Sequence, residues 1–533
     1  MRLLALGPVL IAISRLPQLL GGQMFPDGDE CIIGLMAKHM AEGREFSLFF
    51  WGQNYGLSVF EAGAAAIAFR LFGMSDEALN SSLLALWAIG WVFFVLAARK
   101  FGGKNAGIIA GVALIVCPAW ASWSMKARGG YVTAFVFTSV LLWLVARLLE
   151  DTRQRAVPFV ASGVVIALIF LSQPIWIPAV LPFLVLLFYR RRRWSDALAL
   201  ACGLASVLVV IYILSWDEYS SYWQPDIFAQ ADPAAALLDM PRRVWVMLTG
   251  AYSLCPKTPA TFTKIGANLW LVGLVGSAAV CVMRAWRKPR FGALEACLLS
   301  FLAVLAVALW LDNVRFQFRY LLPAAQPLVL ATALAAAGLL GEANRTKLEA
   351  PARESGDHDW RFVLRRAVPG TPWKSERTVV GGFLAALLIL CALSLGEFRS
   401  FALCSIDVGP GYSAARAVEE LVAALDRAGI RHVYSVDRQL QWTIMYASRE
   451  RILARWTSPT DRVPAYPVAV DRALHSGQRA ALVGPKKDAV PLSVGLRRAG
   501  HAHSTIQVIA GTFFVLPDPG VEIIRGLGFR LNE

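Results

Sequence analysis

The chain reads as a polytopic α-helical membrane protein of about 11 transmembrane helices that ends in a small extracytoplasmic α/β domain. Three observations carry that reading: the composition, the spacing of apolar runs, and the placement of charge between them. Of the 533 residues, 57% are hydrophobic and 18 are Trp, and the mean hydropathy is +0.53. A single soluble domain with an ordinary surface does not have such a composition. The net charge of +15 would suggest nucleic acid in a soluble protein. Here the basic residues gather in short loops between apolar runs, which is the pattern of membrane orientation, so no nucleic-acid partner is expected.

A helix crossing a hydrocarbon core of about 30 Å needs about 20 apolar residues. Segments near 3–20, 78–98, 105–121, 130–147, 157–172, 174–189, 196–214, 267–283, 292–311, 321–340 and 379–396 fit. Residues 2–20 run into an acidic loop without a small-residue cleavage site and are expected to remain as the first span. With the N-terminus in the cytoplasm, the inside loops carry Arg99, Lys100 and Lys104; Arg147, Arg153 and Arg155; Arg190 to Arg193; and Arg284, Arg287, Lys288 and Arg290. The loop 341–377 adds eight more Lys and Arg. Parity and the positive-inside rule agree, and they place residues 397–533 outside.

The expected organisation is a transmembrane unit over 1–396, with a first outer loop at 21–77 and a larger outer loop at 215–266, followed by an α/β domain at 397–533. In the first outer loop, Ile32, Leu35, Met36 and Met40 recur at helical spacing, which predicts an interfacial helix over 30–42. Residues 57–72 are apolar but short and are interrupted by Glu61 and Arg70, which predicts an interfacial or re-entrant helix. After residue 397 the apolar runs shorten. Helix over 414–428, strand from Arg431, helix 439–448, strand 452–456, helix 468–475 and strand 480–483 alternate as in a small α/β unit. It contains no GxGxxG or Walker loop, so no nucleotide is expected.

The candidate chemistry lies on the outer loops. Asp27, Asp29 and Glu30 follow the first span, and Asp29 and Glu30 are the candidate catalytic carboxylates. Asp27 and Glu30 also fit a capping box opening the helix that follows. Lys126 and Arg128 sit on the turn 123–131 beside Gly129 and Gly130, where a glycine pair permits close approach of a ligand backbone or phosphate. Arg315 and Arg319 lie four apart near the next-to-last outer turn. These four cations are the candidate donor-phosphate residues, and Glu61, Tyr55, Tyr131 and Tyr320 are candidate cavity residues on the same segments.

Cysteines at 31, 117, 202, 255, 281, 297, 391 and 404 form no CxxC pair, although Cys31, Cys255 and Cys404 fall on the outer face where a disulfide is chemically accessible. No His forms HExxH, and nothing indicates a metal site or a cofactor. A divalent ion stays open. A carboxylate on one outer loop with cations on two others suits displacement of a phosphate leaving group from a lipid carrier.

The run Asp29-Glu30-Cys31-Ile32-Ile33-Gly34-Leu35-Met36, then Phe49-Phe50-Trp51-Gly52-Gln53-Asn54-Tyr55-Gly56, Glu61-Ala62 and Arg319-Tyr320-Leu321-Leu322-Pro323, resembles the GT-C superfamily of membrane glycosyltransferases. The relevant branch holds the protein O-mannosyltransferases and the lipid A aminoarabinose transferase. That resemblance implies a polyprenyl-phosphate sugar donor, inverting transfer to a lipid, glycan or protein acceptor outside the cytoplasm, and a bacterial inner-membrane location. It gives Asp29 the role of binding or deprotonating the acceptor hydroxyl, with Glu30 beside it. Two departures stand out. The aminoarabinose type carries Lys-Pro-Pro-Leu in the first loop, where this chain has Asn54-Tyr55-Gly56-Leu57, and an Arg after the acidic pair, where this chain has Cys31 and Ile32. The competing reading from another class is a transporter or flippase of an anionic or lipid-linked substrate.

Overall fold

In the computed structural model, residues 2–20, 25–121, 123–151, 156–215, 232–250, 261–287, 291–311, 318–340, 373–397, 413–457, 462–501 and 505–532 are described. The helical part comprises α1 (Arg2–Leu20), α2 (Gly28–Glu42), α3 (Val59–Phe72), α4 (Asp76–Val116), the short α5 (Pro118–Ala121), α6 (Tyr131–Glu150), α7 (Val157–Ser172), α8 (Ile177–Arg191) and α9 (Trp194–Leu214). It continues with α10 (Pro233–Thr249), α11 (Thr261–Arg287), α12 (Ala293–Ala308), α13 (Leu322–Leu339) and α14 (Trp373–Glu397). Among the described residues, six helices are long and apolar enough to cross a membrane, and four shorter apolar helices accompany them at 4–19, 157–172, 293–308 and 380–395.

The apolar segments near 78–98 and 105–121 both fall largely in α4, which is not a straight rod. Gly103 takes φ 84°, which breaks the helix. The Trp91 indole donates to the Gly111 carbonyl at 2.8 Å. Twenty residues of straight helix would separate them by about 30 Å, so the arms fold back on each other. Each of the other apolar segments lies largely within one helix. Cys117 is extended before Pro118 and ends the second arm, since the residue before proline leaves the helical region.

The C-terminal unit contains α15 (Ala414–Arg427), β1 (His432–Ser435), α16 (Arg438–Ala447), β2 (Leu453–Trp456), α17 (Ala465–His475), β3 (Ala480–Pro485), α18 (Ala489–Arg498), β4 (Gln507–Ile509), β5 (Phe513–Pro517) and α19 (Val521–Gly526). Its sheet runs β2-β1-β3-β5-β4. The first three strands are parallel, with His432 opposite Leu453 and Ala480, and β5 and β4 complete the sheet antiparallel. The alternating part was legible from periodicity. The β4–β5 pair was not, because Gln507 to Ile509 is short and mostly exposed.

One expectation is corrected here. The helix over 30–42 exists as α2, but its apolar face is buried in protein rather than left open as an interfacial helix would leave it. Ile32, Ile33, Leu35, Met36 and Ala37 are all at most 1% exposed, because α3 covers one side and α16 the other. The contact with α16 is close: a Cβ on Gly34 would come within 2.2 Å of the Tyr446 ring, and one on Gly28 within 2.2 Å of the Gln439 side chain. By contrast α3 leaves Phe60, Ile67, Leu71 and Phe72 exposed, as an interfacial helix would.

Candidate active site

The site forms at the N-terminus of α2. Asp27 is its N-cap, and one carboxylate oxygen, Oδ1, accepts from the amides of Asp29 at 3.1 Å and Glu30 at 3.2 Å. Glu30 reaches back to accept from the Asp27 amide at 3.0 Å, which completes the capping box. Three carboxylates within four residues repel one another, and the positive end of the helix dipole offsets only part of that. The turn between α5 and α6 supplies the rest.

From that turn Lys126 enters the carboxylate cluster, with Nζ 2.7 Å from Glu30 Oε2 and 3.1 Å from Asp27 Oδ2. Arg128 spans Asp27 and Asp29, with Nη1 3.1 Å from Asp27 Oδ2 and Nη2 2.9 Å from Asp29 Oδ2. Asp27 and Glu30 side chains are 1% and 3% exposed, whereas Asp29 is 18% exposed. Two further guanidiniums face Asp29 without closing on it. Arg319 Nη1 stands 4.0 Å from Oδ2, and Arg462 Nη2 stands 4.0 Å from Oδ1. Four cations therefore meet three carboxylates.

Environment separates the three acids. Burial raises the Asp29 carboxyl, but the guanidiniums of Arg128, Arg462 and Arg319 outweigh it and hold Asp29 well below the usual carboxylate range. Asp27 is likewise raised by burial and brought lower overall by Arg128 and Lys126. Glu30 goes the other way, because burial exceeds what Lys126 returns. A carboxylate held this low is a weak base until its cations are drawn elsewhere.

The structure brings Asp29, Glu30, Lys126, Arg128 and Arg319 together. Arg315 lies outside the described residues, as do Cys255 and Cys404. Cys31 is fully buried, its thiol directed at the Pro26 carbonyl at 3.7 Å, so it is no exposed disulfide partner. Arg319 lies 5.4 Å from the Tyr320 ring centroid, and its charge also acts on the Tyr55 and Tyr131 phenols. Tyr131 is 4% exposed and packs on Trp123.

Glu61, expected at a cavity, is fully buried. Its Oε1 accepts from the amides of Val132 at 3.1 Å and Thr133 at 3.4 Å, which caps α6 from a distance. The glycine pair is also spoken for by the protein's own backbone. A Cβ on Gly130 would come within 2.6 Å of the Ser172 carbonyl, and one on Gly56 within 2.9 Å of the Gly129 carbonyl. The close approach is chain against chain.

Periodicity and motif spacing did not reveal two features. One is Arg462, which lies in a turn with neither periodicity nor motif. The other is an ion cluster at the far end of α2, centred on Glu450. That carboxylate meets Lys38 at 2.7 Å, His39 at 2.8 Å and Arg44 at 3.0 Å, and accepts from the Tyr466 hydroxyl at 2.6 Å.

The fold has counterparts among solved proteins. The chain aligns with the crystal structure of ArnT from Cupriavidus metallidurans bound to undecaprenyl phosphate, with TM-score 0.58 and 14% identity over 96% of this chain and 98% of that one. A family model described as dolichyl-phosphate-mannose-protein mannosyltransferase matches residues 62–216. The chain has the GT-C membrane glycosyltransferase fold. The same GT-C plan relates it to the archaeal oligosaccharyltransferase AglB from Archaeoglobus fulgidus. In complex with an inhibitory peptide and a dolichol-phosphate, AglB gives TM-score 0.50 and 14% identity over 92% of this chain and 69% of that one. Its apo form gives 0.51 and 13% over 93% and 71%. No curated protein sequence matches the chain.

Proposed function

We propose that this GT-C protein transfers a sugar from a polyprenyl-phosphate donor to a lipid, glycan or protein acceptor, with inversion, at the outer face of a bacterial inner membrane. The observation that carries this reading is Asp29, a part-exposed carboxylate bracketed by Arg128, Arg319 and Arg462. The loop charges support an N-terminus in the cytoplasm and a C-terminal domain outside.

The chemistry needs positive charge on the leaving phosphate and a base on the opposite side of the anomeric carbon. The acceptor oxygen attacks that carbon, the bond to the phosphate oxygen breaks with its electron pair, and the acceptor proton passes to Asp29. A single displacement of this kind inverts the centre. When a donor phosphate takes up the guanidiniums, Asp29 loses the charges that keep it a weak base, so donor binding prepares the base. Lys126 stays with Asp27 and Glu30 and holds the turn that presents Arg128.

The test uses membranes containing the protein and a mixed extract of undecaprenyl-phosphate sugars. Release of free undecaprenyl phosphate should exceed that from membranes carrying Asp29→Asn. Equal release overturns the reading. A fusion of alkaline phosphatase after residue 410 should be active and one at residue 192 inactive, and the reverse would overturn the orientation.

A further inference from the structure

The first outer loop brings carboxylates to the site but no cation: from Glu45 to Ser58 it contains neither Lys nor Arg. The gap beside it is filled from the other end of the chain. Arg462, in the turn ahead of α17, lays its guanidinium 4.8 Å from the centre of the Phe50 ring and donates to the Trp51 carbonyl at 3.0 Å. The loop is shaped to receive it. Gly52 takes φ +68°, and a Cβ there would lie 2.8 Å from the Arg462 Cα. Trp51 in turn packs on Trp442 and Tyr466 of the C-terminal unit, with ring centroids 6.3 and 6.4 Å apart. The position of Arg462 is thus set by three consecutive loop residues, Phe50, Trp51 and Gly52.

Two observations set Arg462 apart from an ordinary structural ion pair. In the same cluster Lys126 and Arg128 close on their carboxylates at 2.7 to 3.1 Å, while Arg462 and Arg319 stand at 4.0 Å from opposite oxygens of Asp29. That distance is Coulombic contact without a hydrogen bond. Both guanidiniums are about one-fifth exposed, at 22% and 19%. A planar, permanently charged fork held rigidly beside a reacting carboxylate suits a phosphate oxygen pair.

We infer that Arg462 binds the phosphate of the polyprenyl-phosphate substrate against the first outer loop, so that the C-terminal α/β unit completes the donor site. This rests on the glycosyltransferase reading above. The domain is then part of the active site, and its docking onto α2 governs donor affinity as well as stability.

The experiment compares binding of undecaprenyl phosphate and undecaprenol to the purified full-length protein in detergent. The wild type should prefer the phosphorylated lipid. Arg462→Ala should cut that preference by about ten- to a hundredfold, the range expected for loss of a charged hydrogen bond, and Arg462→Lys should recover part of it. In transfer assays the donor KM should rise more than kcat falls, which a role confined to packing would not produce. Should Arg462→Ala not fold, Arg462→Gln takes its place, since it keeps a donor for the Trp51 carbonyl without the charge. An unchanged preference in a folded Arg462 variant overturns the inference and leaves the glycosyltransferase reading standing. A wild type with no preference for the phosphorylated lipid overturns both.

Discussion

The two ends of α2 carry two charge clusters of opposite design. At the C-terminal end one carboxylate, Glu450, is surrounded at hydrogen-bonding distance by Lys38, His39, Arg44 and Tyr466. At the N-terminal end three carboxylates meet four cations, and two of those cations, Arg319 and Arg462, stop at 4.0 Å. The first cluster is closed around a single acceptor and fastens the C-terminal unit to the segment between α1 and α3. The second holds its guanidiniums at a distance from a part-exposed acid, an arrangement costly for stability alone and useful for a phosphate. Charge count matters less than how closely each cation approaches its carboxylate.

The largest expected effect separates Asp29 from its neighbours. Asp29→Asn should leave a folded, membrane-inserted protein whose transfer rate falls by roughly 10²- to 10⁴-fold, as for loss of a general base. A wild-type rate would move Asp29 into the structural class and erase the contrast. Asp27→Asn is a different case. Asn can still cap α2 through one oxygen, but Asp27 Oδ2 also meets Lys126 and Arg128 at 3.1 Å, so this variant should lose stability more than chemistry.

Next comes Lys126→Met, which leaves Asp27 and Glu30 buried without their shared cation. Breaking a buried pair costs about 3 to 5 kcal/mol, read as lowered thermal stability in detergent. A Glu30→Gln, Lys126→Met double variant should recover part of the loss. Recovery of none would mean that Lys126 supports the turn by packing rather than charge.

The Glu450 cluster should respond more modestly. Glu450→Gln should cost about 1.5 to 3 kcal/mol, as for a charged hydrogen bond, and should raise donor KM with it. This end also carries a pH signature. Burial lowers the His39 imidazole, but Glu45 and Glu450 pull it above its ordinary 6.5. Its stabilisation is therefore fully present below about 6.5 and lost as pH rises through the raised value. Lys38 and Arg44 meet the same Glu450 carboxylate, and Glu42 pairs with both of them. His39→Gln should flatten the dependence of unfolding temperature on pH in that window, and an unchanged slope would remove His39 from the latch.

The smallest effect is at Glu61, where burial raises the carboxyl to about 7 from 4.5. An acid raised on folding stabilises only while protonated, so stability falls as pH rises from 4.5 through 7. Glu61→Gln should change stability by about 1 kcal/mol or less at acidic pH and abolish that slope. A steep surviving slope would locate the titration elsewhere.

Much of the plan was readable from the chain. Apolar runs of spanning length, basic loops and the alternation after residue 414 are local signals, because hydropathy and periodicity are properties of neighbours in sequence. The capping box at Asp27 and Glu30 is local too, and it stands as expected. The environment of α2 was not readable. Its apolar stripe is the same whether the helix lies on a membrane or between two protein surfaces, and only α16 on its other face decides. Gly129 and Gly130 show the same limit, since a glycine announces a close approach without saying what approaches.

By itself the sequence determined a many-helix membrane protein with an α/β end, and placed acids and cations in the loops between its helices. Tertiary structure alone decided which of them meet. Asp29 and Arg462 are more than 400 residues apart, and nothing local encodes a contact of that range. Their charges meet because the Tyr446 ring packs against Gly34, and Trp442 and Tyr466 against Trp51, seating the C-terminal unit on α2 and the segment that follows it.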